Sequence, residues 1–202
     1  KKQEEYFLSE KEERELSQVY GNMAFVNLRK GKMNDAVMLY EKQLDLCDRY
    51  NLKHQSSKAL GNLGVIHMIL GKYSDAIKHL QKVLDVNIEI GDQQAIAKAT
   101  GNLGLAHKEL NELETALTYF NKMLDLAGKI GDQHTVANAY SSIGVVYKHQ
   151  GSYSKSISFF KKNMVIMEKL KMTAGLINTH ANMAEIYVDM GKLKGARKYF
   201  DK

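Results

Sequence analysis

The chain has 202 residues, 44% of them hydrophobic, and 29 Lys and Arg against 23 Asp and Glu, for a formal net charge of +6. No uncharged apolar run approaches the roughly 20 residues that span a bilayer, and the opening KKQEEYFLSEKEER lacks the apolar centre of a secretory leader, so neither membrane insertion nor secretion is expected. The charges are scattered rather than gathered in a tract, which argues against a nucleic-acid partner.

Taken in order, the first informative stretch is Gln18-Val19-Tyr20-Gly21-Asn22-Met23-Ala24, and near-copies of it return every 40 residues. They read Lys58-Ala59-Leu60-Gly61-Asn62-Leu63-Gly64, Lys98-Ala99-Thr100-Gly101-Asn102-Leu103-Gly104, Asn138-Ala139-Tyr140-Ser141-Ser142-Ile143-Gly144 and Asn178-Thr179-His180-Ala181-Asn182-Met183-Ala184. A fixed period of this length marks a repeat array, with units at about 13–52, 53–92, 93–132, 133–172 and 173–202. Proline is absent, and linkers between domains usually carry it, so residues 1–202 read as a single domain. The start at Lys1 reads as a piece of a longer protein.

Each unit holds two stretches of helical period, such as Leu60, Leu63, Gly64 and His67, then Ile77, Leu80, Leu84 and Ile88. The pattern predicts helices at about 10–30, 34–50, 53–70, 74–90, 93–110, 114–130, 133–150, 154–170, 173–190 and 194–202, the last cut short. Gly31, Gly71, Asn111, Gly151 and Gly191 stand where the first helix turns into the second, and glycine and asparagine tolerate the positive φ such a turn needs. At the second turn, Gly91-Asp92 and Gly131-Asp132 place a glycine stop before an aspartate cap. Small residues at Ala36, Ala76, Ala116, Ser156 and Ala196 let paired helices approach, with Tyr40, Leu80, Phe120, Phe160 and Phe200 filling the space between them.

Tyr140, Ile143-Gly144, Tyr147, Ser156 and Phe160 in the fourth unit, and Thr100, Leu103-Gly104, His107, Ala116 and Phe120 in the third, resemble the tetratricopeptide repeat. The 40-residue units lack that family's proline and exceed its usual 34 residues. With "GNLG" and "IGD" they are similar to the units of Pins-type adaptors and, more distantly, kinesin light chains. The resemblance implies an all-α fold, an α-solenoid or right-handed superhelix of five antiparallel helix pairs, and a protein-protein interaction scaffold rather than an enzyme.

In such a solenoid the first helix of each pair lines the concave surface. The residues beside its packing stripe are Gln18 and Asn22, Lys58 and Asn62, Lys98 and Asn102, Asn138 and Ser142, Asn178 and Asn182, each pair one turn apart. Asparagine amides offer a donor and an acceptor to an extended peptide backbone, and the lysines favour a carboxylate. By resemblance, Lys58, Asn62, Lys98 and Asn102 match positions with which co-chaperones of the family grip a terminal carboxylate, although Asn138 and Ser142 add no charge. Val65, Leu105, Phe25 and Val145 supply apolar floor, Lys108 and Lys148 further positive charge, and Glu185 with Asp189 an acidic end. An extended, partly acidic peptide of a protein partner is the expected ligand. The alternative is a regulatory or sensor segment of a larger enzyme or transcription regulator.

The seven histidines lack the i, i+4 pair plus third ligand of a zinc site, so no metal is expected, and His67 and His107 read as core-edge rings where other units have Tyr147 and Tyr187. The ten methionines read as gap fillers. Lys42 with Asp45, Lys82 with Asp85 and Lys122 with Asp125 read as i, i+3 pairs on a solvated face. Gly-Asn-Leu-Gly lies within a helix and is no phosphate loop, no nucleophile stands with a base, and no cofactor is expected. The lone Cys47 fits a reducing compartment and a cytoplasmic location. Leu193, Tyr199 and Phe200 in the shortened last helix lead to an expectation of self-association or of a capping helix in a longer parent protein.

Overall fold

A computed structural model describes the backbone of residues 2–200 and the side chains of residues 11–200. The described residues form ten helices and no strand: α1 (Lys2–Arg29), α2 (Met33–Arg49), α3 (Lys53–Ile69), α4 (Tyr73–Ile90), α5 (Gln93–Glu109), α6 (Leu113–Lys129), α7 (Gln133–His149), α8 (Tyr153–Lys169), α9 (Thr173–Asp189) and α10 (Leu193–Phe200). Most boundaries fall within a residue of those predicted. The exception is α1, which starts well before residue 10, because Lys, Glu, Arg and Gln are good helix formers and nothing upstream of Gly21 interrupts them. The last two residues of the predicted 194–202 helix lie outside the described residues.

The chain divides into two compact units, residues up to Ala99 and residues from Thr100, with the division inside α5. In the first, Ala24, Ala36, Leu39, Tyr40, Ala59, Leu63 and Ile66 form one buried cluster. In the second, Phe120 packs with Ala116, Met123, Ala139, Ile143 and Val146, and Phe160 with Met183 and Ile186. The glycine at the end of the repeated motif is set by this packing: a Cβ on Gly104 would stand 2.6 Å from Phe120 Cε1. The helix tolerates the weak propensity of glycine because the ring needs that space.

All seven predicted turn residues have positive φ, and so do Asn51 and Lys171. Lys171 sits where the second and third units carry Gly91 and Gly131, at φ 56°. A residue with a Cβ pays for that conformation and glycine does not. Lys171→Gly is therefore expected to stabilise the second unit by roughly 0.5–1 kcal/mol after the entropy that glycine adds to the unfolded chain. An unmoved urea midpoint would count against this strain. The predicted aspartate caps form: Asp92 Oδ1 accepts the Ala95 N–H at 2.9 Å, and Asp132 accepts the Thr135 N–H at 3.0 Å and its hydroxyl at 2.7 Å.

The expected Lys–Asp pairs are corrected by the structure. Asp45 pairs with Arg49 at 2.7 Å and Asp125 with Lys129 at 2.6 Å, both at i, i+4, while Asp85 accepts from Gln81. The i, i+4 base lies directly above the carboxylate on the helix surface. Lys42 has other company, its Nζ lying 5.8 Å from the centre of the Tyr20 ring, and Lys162, one period beyond Lys122, has its Nζ 4.9 Å from that of Phe159. The histidines read as core-edge rings do stack, His67 on His79 at 5.0 Å and His107 on Tyr119 at 5.1 Å, at the places where Tyr147 meets Phe159 and Tyr187 meets Tyr199. Burial, and then the charges of His67 and Lys82, hold the His79 pKa below its usual value.

Candidate functional site

In the first unit, α1 and α3 lie side by side as first helices of their pairs, with α2 behind them. Residues 18 and 22 face one way from α1, and their counterparts 58 and 62, one period later, take the same register on α3. Between them is a cleft of about 410 Å³ lined by Gln18, Gly21, Asn22 and Phe25 of α1, Tyr40 and Gln43 of α2, and Gln55, Lys58 and Asn62 of α3. Four of the residues singled out from sequence thus meet at one place, and Phe25, 52% exposed, adds an apolar wall.

Hydrogen bonds orient two of the lining side chains. Asn62 donates from Nδ2 to the Tyr40 hydroxyl at 2.9 Å, and its own carbonyl oxygen has no hydrogen-bond partner among the described residues. Burial pushes the Tyr40 hydroxyl pKa up, and the bond from Asn62 opposes it. The buried Ser17 hydroxyl donates to Gln55 Oε1 at 2.8 Å, and the Gln55 amide nitrogen has no hydrogen-bond partner among the described residues. Lys58 is exposed and makes no ion pair among the described residues. The cleft therefore presents amide donors and acceptors with one uncompensated cation. Another open hollow between α1 and α2, lined by Glu13, Leu16, Tyr20, Met38 and Asp45 among others, contains none of the polar positions repeated on the first helices, and its Arg49 and Asp45 neutralise each other.

Farther along, Lys98 and Asn102 stand one turn apart on α5, Lys98 exposed and Asn102 half-buried, while Val65 and Leu105 keep part of their surface open. In the second unit the polar positions are largely consumed by one another. Asn138 meets His134 within α7 at 3.2 Å, and Asn182 donates to the Asn178 carbonyl at 3.0 Å. Lys148 donates to Asn182 at 2.9 Å and to Glu185 at 2.6 Å, and Lys108 pairs with Glu109. The separate basic middle and acidic end read from sequence thus cancel in part across α7 and α9. Glu185 is 37 residues from Lys148, slightly off the period, and so escapes a register that compares equivalent positions. The Ser142 hydroxyl makes no hydrogen bond among the described residues.

Sequence reasoning missed Gln43 and Gln55 and took Tyr40 as filler alone. Gln43 carried a signal: it stands three residues after Tyr40 and seven after Ala36, on the buried stripe of α2, where a polar side chain needs a reason. Among the described residues no group of three or more His, Cys, Asp or Glu side chains is placed to hold a metal, and no helix is long and apolar enough to cross a membrane.

Residues 55–129 and 177–202, together half of the chain, match family models described as tetratricopeptide repeat. The chain is a tetratricopeptide repeat protein. No curated protein sequence matches it. Solved structures similar to this tetratricopeptide repeat chain include BtubC (BKLC) from P. vanneervenii, at 19% identity over 94% of this chain and 78% of that one, with a TM-score of 0.81. MamA is similar at 26% identity over 88% and 90%, with a TM-score of 0.62. A Rap protein complexed with competence and sporulation factor is similar at 15% identity over 92% of this chain and 52% of its own length, with a TM-score of 0.78. The shared helix-pair architecture is what these likenesses show.

Proposed function

We propose that this tetratricopeptide repeat chain is an interaction scaffold that holds an extended, partly acidic peptide of a protein partner, with the α1–α3 cleft as one contact region. The observation that carries the reading is the cleft itself, where Gln18, Asn22 and Asn62 offer hydrogen bonds indifferent to ligand side chains and Lys58 is left without a counter-ion among the described residues. Lys98, exposed and without an ion pair among the described residues, extends the positive register onto α5. The Rap protein complexed with competence and sporulation factor supports the reading by fold likeness alone.

The test is a titration of a labelled acidic peptide, chosen from a randomised dodecapeptide library by binding to this chain. Lys58→Glu with Lys98→Glu is expected to weaken binding by about tenfold at low ionic strength, since two solvent-facing charges of about 0.5–1 kcal/mol each are reversed. The loss shrinks at high salt. Unchanged affinity with the helical content intact would sink the electrostatic part.

A further inference from the structure

Gln43 is 5% exposed, yet its amide makes no hydrogen bond among the described residues. It forms the floor of the α1–α3 cleft and lies against Gly21, where a Cβ would stand 2.7 Å from Gln43 Nε2 and 2.8 Å from Oε1. The glycine is therefore what lets the amide reach the floor.

The same place in the other units is solved differently. In the third, Met123 lies over Gly101, its Sδ 2.6 Å from where a Cβ would be, so the space holds an apolar group. In the fourth, the fully buried Asn163 donates to the Ala137 carbonyl at 2.7 Å and accepts the Thr179 hydroxyl at 2.6 Å, so the amide is satisfied by protein. Gln43 has neither solution. Its amide makes no hydrogen bond to protein among the described residues, and its polar atoms open onto the cleft, where an incoming group can meet both.

We infer that the floor of the cleft at Gln43 is a specificity pocket for the primary carboxamide of an asparagine or glutamine side chain, borne by a peptide that places an acidic residue near Lys58. The inference rests on the groove reading above and adds which side chain the groove selects. A carboxamide offers one acceptor and one donor on a single edge, matching Nε2 and Oε1 of Gln43 together. A carboxylate would set an anion against Oε1, and a cationic group would leave Nε2 unsatisfied and lie close to Lys58. The peptide backbone meets Asn22 and Asn62 at the rim, so the floor, behind them on α2, is reached by a side chain.

The experiment is selection of a randomised dodecapeptide display library on the 202-residue chain and on its Gln43→Met variant, which copies the Met123–Gly101 packing and so keeps the fold. The expected wild-type pool is enriched in Asn or Gln at a fixed spacing from Asp or Glu, and the variant pool keeps the acidic residue but loses the carboxamide. Changing that Asn or Gln of a selected peptide to Asp or Glu should weaken wild-type binding about tenfold or more and binding to the variant less than twofold, since a site built to hydrogen-bond a group rejects its analogue. In the wild type, the Gln43 side-chain amide resonances should shift on titration with that peptide. Selected peptides that show no carboxamide preference, or bind both proteins alike, overturn the pocket and leave the groove standing. Failure to select any peptide sensitive to Lys58→Glu overturns the groove reading, and this inference with it.

Discussion

Phe120→Ala is expected to lower the stability of the second unit by about 3–5 kcal/mol, the usual cost of emptying a fully buried aromatic site. Phe120 has no exposed surface and joins α6 to Ala139, Ile143 and Val146 of α7. On its other side is Gly104, which has no side chain with which to refill the space. The cavity therefore cannot collapse cheaply. Phe120→Leu should cost much less, because the first unit already pairs a glycine with a leucine: a Cβ on Gly64 would stand 2.9 Å from Leu80. Urea unfolding followed by circular dichroism measures both, and hydrogen exchange should place the loss in α6 and α7. Equal and small losses for the two variants would show that the ring does not carry this contact.

Asn163→Leu is the second large effect, expected at roughly 2–3 kcal/mol despite the added apolar surface. Asn163 has no exposed surface and bridges three helices, donating from α8 to the Ala137 carbonyl on α7 and accepting the Thr179 hydroxyl from α9. Leucine removes both bonds, leaving the Ala137 carbonyl only its N–H within α7, and puts a larger branched side chain into a fully buried site. Thr179 suffers less, since its hydroxyl also reaches the Gly175 carbonyl at 2.9 Å. The loss should therefore come from the two lost inter-helix bonds and the misfit of leucine together. A leucine variant as stable as the parent would mean that water replaces the amide.

These two sites show how unevenly the fold could be read from sequence. Phe120 was legible, because an aromatic four residues after a small residue recurs in register and helix pairing needs both. The partners of Asn163 were not, because a polar residue on an apolar stripe announces a need without saying which neighbour meets it. The ring stacks of His67 on His79 and of His107 on Tyr119 lie between: the first member of each was visible by comparison with Tyr147 and Tyr187, and the second only once the paired helix was in place.

The candidate site divides in the same way. Gln18, Asn22, Lys58 and Asn62 came from periodicity, and they converge because helix pairs repeated at one spacing bring equivalent positions side by side. By itself the sequence determined the helix pairs, the positive-φ turns and the aspartate caps, since each depends on a local pattern of a few residues or on the period. Only the tertiary structure decided which polar groups are spent and which are left over. Lys148 is taken by Glu185, whereas Lys58 has no counter-ion and Gln43 no amide partner among the described residues. Hydrogen-bond partners depend on which atoms neighbouring helices bring within about 3 Å, and the repeat period does not encode that distance.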